Sequence, residues 1–289
     1  MKQGAHKRND IVVLLCVLLI FSGGISLIYG KSVAAEAVSA ASDNEIIQAI
    51  QPLDISHSVK KMANVLSQKP FEQQMRIYNQ VIENKKSSLS PEERVELGLE
   101  LLAKRNLESE QKTILDVIVG YPSKVPMLYI AVDKKNLSVV PMIARYLGSN
   151  SDALQEQSYK ALVHAIDQNN LVNFNQLIQS LGGISKDMAT RLLWDVLNKN
   201  KDAQFIPYLT AQKADIDNAQ NGKTPLIAAI EADNVEMVQM LLDKGAQVNK
   251  FVDPAIGTPL QRAFAMQKQL KTKSATTIEL LLRNRGAKE

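Results

Sequence analysis

The chain has 289 residues, of which 45% are hydrophobic, 5% aromatic and 22% charged, with a formal net charge of +4 at pH 7. That length bounds it to one or two domains, and the apolar fraction is ample for a folded core. Near-balanced charge, few aromatics and no base-reading motif argue against a nucleic-acid module. The charge is uneven, however. Residues 250–289 hold eight basic and three acidic side chains, a net of about +5, whereas residues 31–249 come to about −3.

The first predicted element is apolar. A short basic start with Lys2, Lys7 and Arg8 precedes residues 11–30, which carry no charge. A helix of about 20 apolar residues is long enough to cross a bilayer. Two readings compete. Ala35-Glu36-Ala37 would suit signal-peptide cleavage, while the length of the run and Lys31 directly after it suit an uncleaved anchor. The anchor is favoured. Both readings export the rest of the chain, because the basic start stays cytoplasmic. The expected location is therefore the inner membrane of a bacterium, single-pass, with the folded part on the periplasmic side. The alternative is a periplasmic or secreted chain. Cys16, the single cysteine, lies inside the apolar run, so the exported part can form no disulfide.

Residues 34–43 are small and polar and read as a linker. From 44 to 122 the pattern is helical. Ser90-Pro91-Glu92-Glu93 is a strong helix start: a Ser N-cap, Pro at the first position, and Glu93 placed to close a capping box. Four or five helices fit in this segment. It is expected to cap the repeats that come after it, or to hold repeats too degenerate to recognise.

The clearest pattern lies at 221–249, "NGKTPLIAAIEADNVEMVQMLLDKGAQVN". Thr224-Pro225 is a helix start and Asp233-Asn234 a turn. Val235, Val238, Leu241 and Leu242 share one face of a second helix, and Gly245 is its expected left-handed C′ residue. Two helices this short cannot bury their faces without stacked copies. With Ala229 as a ruler, equivalent positions fall at Ala131, Ala165, Val196 and Ala263. The steps are about 31 to 34 residues, giving about five repeats between 123 and 289. An insertion of about six residues is expected within 266–277, between the two helices of the last repeat.

Residues 213–249 resemble an ankyrin repeat, with Gly-x-Thr-Pro-Leu at 222–226, Ala228-Ala229, Leu241-Leu242 and Gly245-Ala246. Lys213 stands where that family has a turn Gly, and Ile227 replaces its His. The resemblance implies an all-α solenoid of about five repeats, preceded by a helical capping region and one apolar helix. It implies a non-enzymatic module that binds a protein along its hairpin tips and first helices. Carried onto this chain, those positions are Asp217, Asn218, Gln220 and Asn221 in one turn, and Lys250, Phe251, Val252 and Asp253 in the next. Phe251 is the expected anchor, since aromatics dominate binding hot spots. Packing of Phe251 against the following repeat is the alternative.

Positive signs of chemistry are lacking. His57 and His164 are far apart, and neither has Cys, Asp or Glu at metal-ligand spacing. No phosphate-binding glycine loop or nucleophile elbow occurs, and Asp215 and Asp217 sit at a repeat turn. The reading is of a protein-binding module with no catalytic centre, cofactor, metal, nucleic acid or small-molecule substrate. It is tethered by its apolar helix to the bacterial inner membrane. A secreted effector released by cleavage, and a periplasmic scaffold or protector of an enzyme or secretion machine, are the alternatives.

Overall fold

The computed structural model describes residues 59–83, 89–121, 123–148 and 151–288. The apolar run at 11–30, the linker at 34–43 and the start of the helical segment, 44–58, lie outside them. Among the described residues there are fourteen α-helices and no strand, so the fold is all-α. The chain divides into two compact units, Met1–Ser149 and Asn150–Glu289.

In the first unit α1 (Val59–Ser67) and α2 (Phe71–Glu83) form one helical hairpin. A second is α3 (Pro91–Leu102) with α4 (Glu108–Val119), and a third is α5 (Met127–Asp133) with α6 (Val140–Leu147). First helices stack on first helices, α1 on α3 and α3 on α5, and second helices stack likewise. The Ser90–Glu93 capping box is present, with the Glu93 N–H donating to Ser90 Oγ at 3.1 Å and the Ser90 N–H to Glu93 Oε2 at 2.7 Å. Gly98, in the middle of α3, is a matter of space. A Cβ there would lie 2.1 Å from the Tyr78 hydroxyl and 2.7 Å from Ile118. Tyr78 is fully buried and donates to the Arg94 carbonyl at 3.0 Å, so it has little room to retreat.

The second unit holds four hairpins: α7 (Asp152–Asp167) with α8 (Leu171–Ser180), α9 (Lys186–Asn198) with α10 (Phe205–Ala211), α11 (Pro225–Glu231) with α12 (Val235–Asp243), and α13 (Pro259–Leu270) with α14 (Lys273–Asn284). First helices stack in order, α7 on α9, α9 on α11 and α11 on α13. The ruler residues lie in the core: Ala131, Ala165, Val196, Ala229 and Ala263 are at most 1% exposed.

Their carbonyls explain why these positions recur. The N–H groups of Asn136, Asn170, Lys201 and Asn234 donate to the carbonyls of Ala131, Ala165, Val196 and Ala229 at 2.7, 2.8, 2.9 and 3.2 Å. In each case the residue just before the donor is left-handed: Lys135, Asn169, Asn200 and Asp233, with φ of 60°, 51°, 48° and 52°. This is the Schellman arrangement, a six-to-one bond closing the helix end. The last hairpin differs. Its left-handed residue is Lys271, thirteen positions after the N-cap Thr258, whereas Asp233 follows Thr224 by nine. The insertion expected between the helices is therefore not a loop: α13 is about one turn longer, and α14 is lengthened too.

The second helices end the same way. Gly245 has φ 95°, and the N–H of Ala246 donates to the Leu241 carbonyl at 3.0 Å. No atom lies near the place a Cβ would take at Gly245, so strain there would be purely a backbone matter. One repeat earlier Lys213 takes this conformation at φ 64°, with Ala214 donating to Leu209 at 3.1 Å. A side chain in this region costs about 1–2 kcal/mol. We therefore expect Gly245→Val to lower stability by about 1–2 kcal/mol and Lys213→Gly to raise it by about 1 kcal/mol. Chemical denaturation of both variants checks the pair of signs. Gly98→Ala should destabilise, against its helix propensity, by about 1–3 kcal/mol of overpacking. A neutral or raised melting temperature would show that Tyr78 and Ile118 can yield.

Candidate functional site

The turns between repeats bring both sets of predicted binding residues to neighbouring positions in the second unit. Asn221 and Gly222 have φ of 51° and 76°, and the backbones of Gln220 and Lys223 exchange bonds of 2.9 and 3.0 Å across them. This is a two-residue hairpin of type I′, the turn that Asn-Gly favours. Asp253 of the next turn lies directly over it. A Cβ at Gly222 would come within 2.7 Å of the Asp253 carboxylate.

The eight predicted residues divide by role. Asp217 accepts from the Gln247 backbone N–H at 3.0 Å and from its Nε2 at 2.9 Å, and the Lys250 ammonium donates to the Asp217 carbonyl at 2.9 Å. Asp217 and Lys250 thus fasten consecutive turns together. Asp253 accepts from the Ala255 N–H at 2.8 Å within its own loop. Asn218 donates through its backbone N–H to the Asp215 carbonyl and is half-buried. Gln220 and Asn221 are exposed at the hairpin tip. Phe251 is 55% exposed and Val252 36% exposed, so Phe251 is not packed into a neighbouring repeat.

Two further groupings go beyond the residues predicted from sequence, sharing only Gln220 and Asn221 with them. The first is a cleft of about 340 Å³ between α9 and α11, bordered by Trp194, Asn198, Ala228 and Glu231, with the 220–223 hairpin at its edge. Glu231 faces two cations. Lys223 Nζ is 2.6 Å from Oε2 and Arg262 Nη2 is 2.6 Å from Oε1. The arginine contact is off the hydrogen-bonding direction, so it acts as charge against charge. Trp194 is 5% exposed, and its indole N–H has no hydrogen-bond partner. The second grouping lies between α7 and α9. The Arg191 guanidinium sits 3.6 Å over the Tyr159 ring, and the Tyr159 hydroxyl donates to Asp195 at 2.8 Å. Burial and that bond raise the hydroxyl pKa above its ordinary value. Both groupings join residues about one repeat apart, and the spacing could have located them.

Polar side chains also link the hairpin turns. Asn234 Nδ2 donates to Asn200 Oδ1 at 2.8 Å, the Asp202 N–H to Asn169 Oδ1 at 3.4 Å, and the Thr272 and Ser274 hydroxyls to Asp233. Lys199 pairs with Asp167 at 2.6 Å. At the chain end Arg285 bonds Asp243 and holds its carboxyl below the usual range.

Residues 192–288 match a family model described as ankyrin repeats, in three copies. This segment carries ankyrin repeats. The matched residues cover α10 to α14 and most of α9, and hence both turns that carry the eight predicted binding residues. The α5–α6 and α7–α8 hairpins lie outside the match and share the left-handed turn and six-to-one bond of the matched repeats. Among solved structures, the ankyrin repeat domain of Bcl-3, titled a unique member of the IkappaB protein family, is similar at 19% identity and a TM-score of 0.43. The similarity covers 70% of this chain and 88% of that one. No curated protein matches the chain. Ankyrin repeats indicate a protein–protein interaction module.

Because the Asp217 carboxylate closes two bonds between two turns of these repeats, Asp217→Ala should destabilise by about 1–2 kcal/mol, leaving the Lys250 bond to its carbonyl in place. It should also speed amide exchange at Gln247, whose N–H loses its acceptor. Unchanged exchange at Gln247 would mean that the two turns are held by something else.

Proposed function

We propose that the chain binds a protein partner along the turn tips and first helices of its second unit, with Phe251 as the principal contact. The observation that carries this is the exposure of Phe251 and Val252 beside a turn fastened by Asp217 and Lys250. A rigid loop presenting an aromatic loses little conformational freedom on binding, and such residues anchor interfaces. We further propose that residues 11–30 tether the repeats to the outer face of a bacterial inner membrane. Support for the tether is the uncharged run itself, with Lys31 after it and a basic start before it. Among the described residues no helix is long and apolar enough to cross a membrane.

A secreted effector, released after Ala37, is the second reading, favoured by Ala35-Glu36-Ala37. Fractionation with N-terminal sequencing separates the two. An intact N-terminus in the membrane fraction supports the tether, and a mature chain in the medium supports the effector.

The binding surface is tested by affinity capture from envelope extract with the full-length chain. Phe251→Ala should reduce partner recovery at least tenfold. Replacing Lys268, Lys271 and Lys273 together by Glu should leave recovery unchanged at high salt, since exposed charges mainly alter association rate and are screened within about 8–10 Å. Full recovery by Phe251→Ala would remove the proposed surface.

A further inference from the structure

The cleft between α9 and α11 has a chemistry that the exposed turn tips lack, and its role rests on the reading of this face as the binding surface. Among its polar groups are two donors, the Trp194 indole and the Lys223 ammonium. The Trp194 indole N–H is buried and unpartnered, and a donor left so is destabilising. The Lys223 ammonium has three N–H bonds, of which its short contact to Glu231 engages one. Two cations meet a single carboxylate here, so the set carries one positive charge in excess. Glu231 is only 18% exposed, and removing all its cations would be costly. Arg262 stays with it, however, which leaves Lys223 free to turn to an incoming anion without orphaning a buried acid. Lys223 also sits at the base of the Asn221-Gly222 hairpin, whose paired backbone fixes where that ammonium starts.

We propose that this cleft is a carboxylate-binding site that receives a glutamate or aspartate side chain, or the C-terminal carboxylate, of the partner polypeptide. The anion is held by Lys223, and its acceptor oxygens satisfy the Trp194 N–H. About 340 Å³ accommodates one side chain with its carboxylate, not a folded element. Lys223 is the charge reader, Glu231 keeps it extended over the cleft when empty, and Arg262 holds Glu231 when the cleft is filled.

Trp194 is the single tryptophan of the chain, so its fluorescence reports the site directly. The full-length protein is titrated with N-acetylglutamate amide, N-acetylglycine and N-acetylglutamine amide. The first offers a side-chain carboxylate, the second a chain-terminal one, and the third has the shape of the first without its charge. The expected result is a saturable change in Trp194 emission with one or both carboxylates and none with the glutamine compound, the tighter carboxylate assigning the source. Lys223→Gln should weaken binding at least tenfold, and Glu231→Gln, which leaves both cations unopposed, should tighten it. Lys223 is more than a third exposed, so its replacement should leave the fold and circular dichroism unchanged. No saturable change with either carboxylate, an equal response to the glutamine compound, or undiminished binding by Lys223→Gln would overturn the site. Partner capture that requires Phe251 but is indifferent to Lys223→Gln would leave the binding surface standing and remove this cleft from it.

Discussion

The bond from a turn residue back to a buried carbonyl, repeated at Ala131, Ala165, Val196 and Ala229, is the constraint on which the rest depends. It forces the residue between helix and turn into the left-handed region, and so fixes where the second helix departs. Alanine at three of the four acceptor positions lets first helices stack closely, and that stacking brings consecutive turns within bonding reach. The ties of Asp217 to Gln247 and of Asn234 to Asn200 arise from it. The tips can then offer Phe251 to solvent because other residues do the fastening. Fastening and exposure are therefore divided between neighbouring positions on the same loops.

Much of this was legible from residue type. Thr224-Pro225, Ser90-Pro91 and Gly245 mark helix ends through properties that tertiary contacts seldom override, and the ruler positions repeat because one carbonyl must recur. Asp233-Asn234 reads as a turn, but the left-handed step that Asn169, Asn200 and Asp233 share is not part of that expectation. Asn and Asp tolerate the left-handed turn better than most residues, and their recurrence four places after each ruler position is a signal of that turn in its own right. Lys135 and Lys271 occupy the same conformation with no such aptitude, and nothing in their identity announces it.

The candidate surface was harder to read. Asp217, Lys250 and Asp253 match the right turns, yet a sequence gives no means of telling a fastening residue from a presenting one. That distinction rests on which atoms face inward across a gap of about one repeat. Trp194, Lys223, Glu231 and Arg262 come from three consecutive repeats and no local motif joins them. The reason for Gly98 likewise lies at a distance, since the Tyr78 hydroxyl is twenty residues away in another helix.

The longer last hairpin carries a consequence for how length can vary here. α13 gains about one turn, and the chain then makes its left-handed step at Lys271 as the earlier hairpins do at Asp233. Each added helical residue rotates the chain beyond it by about 100°, so a gain near four restores the phase of the apolar face, and Ala275, Ile278 and Leu282 of α14 still point inward. A gain of two would turn that face to solvent. Insertions into these helices are thus quantised by the turn, whereas the tips between repeats, which lead into fresh N-caps at Thr224 and Thr258, are free of that arithmetic.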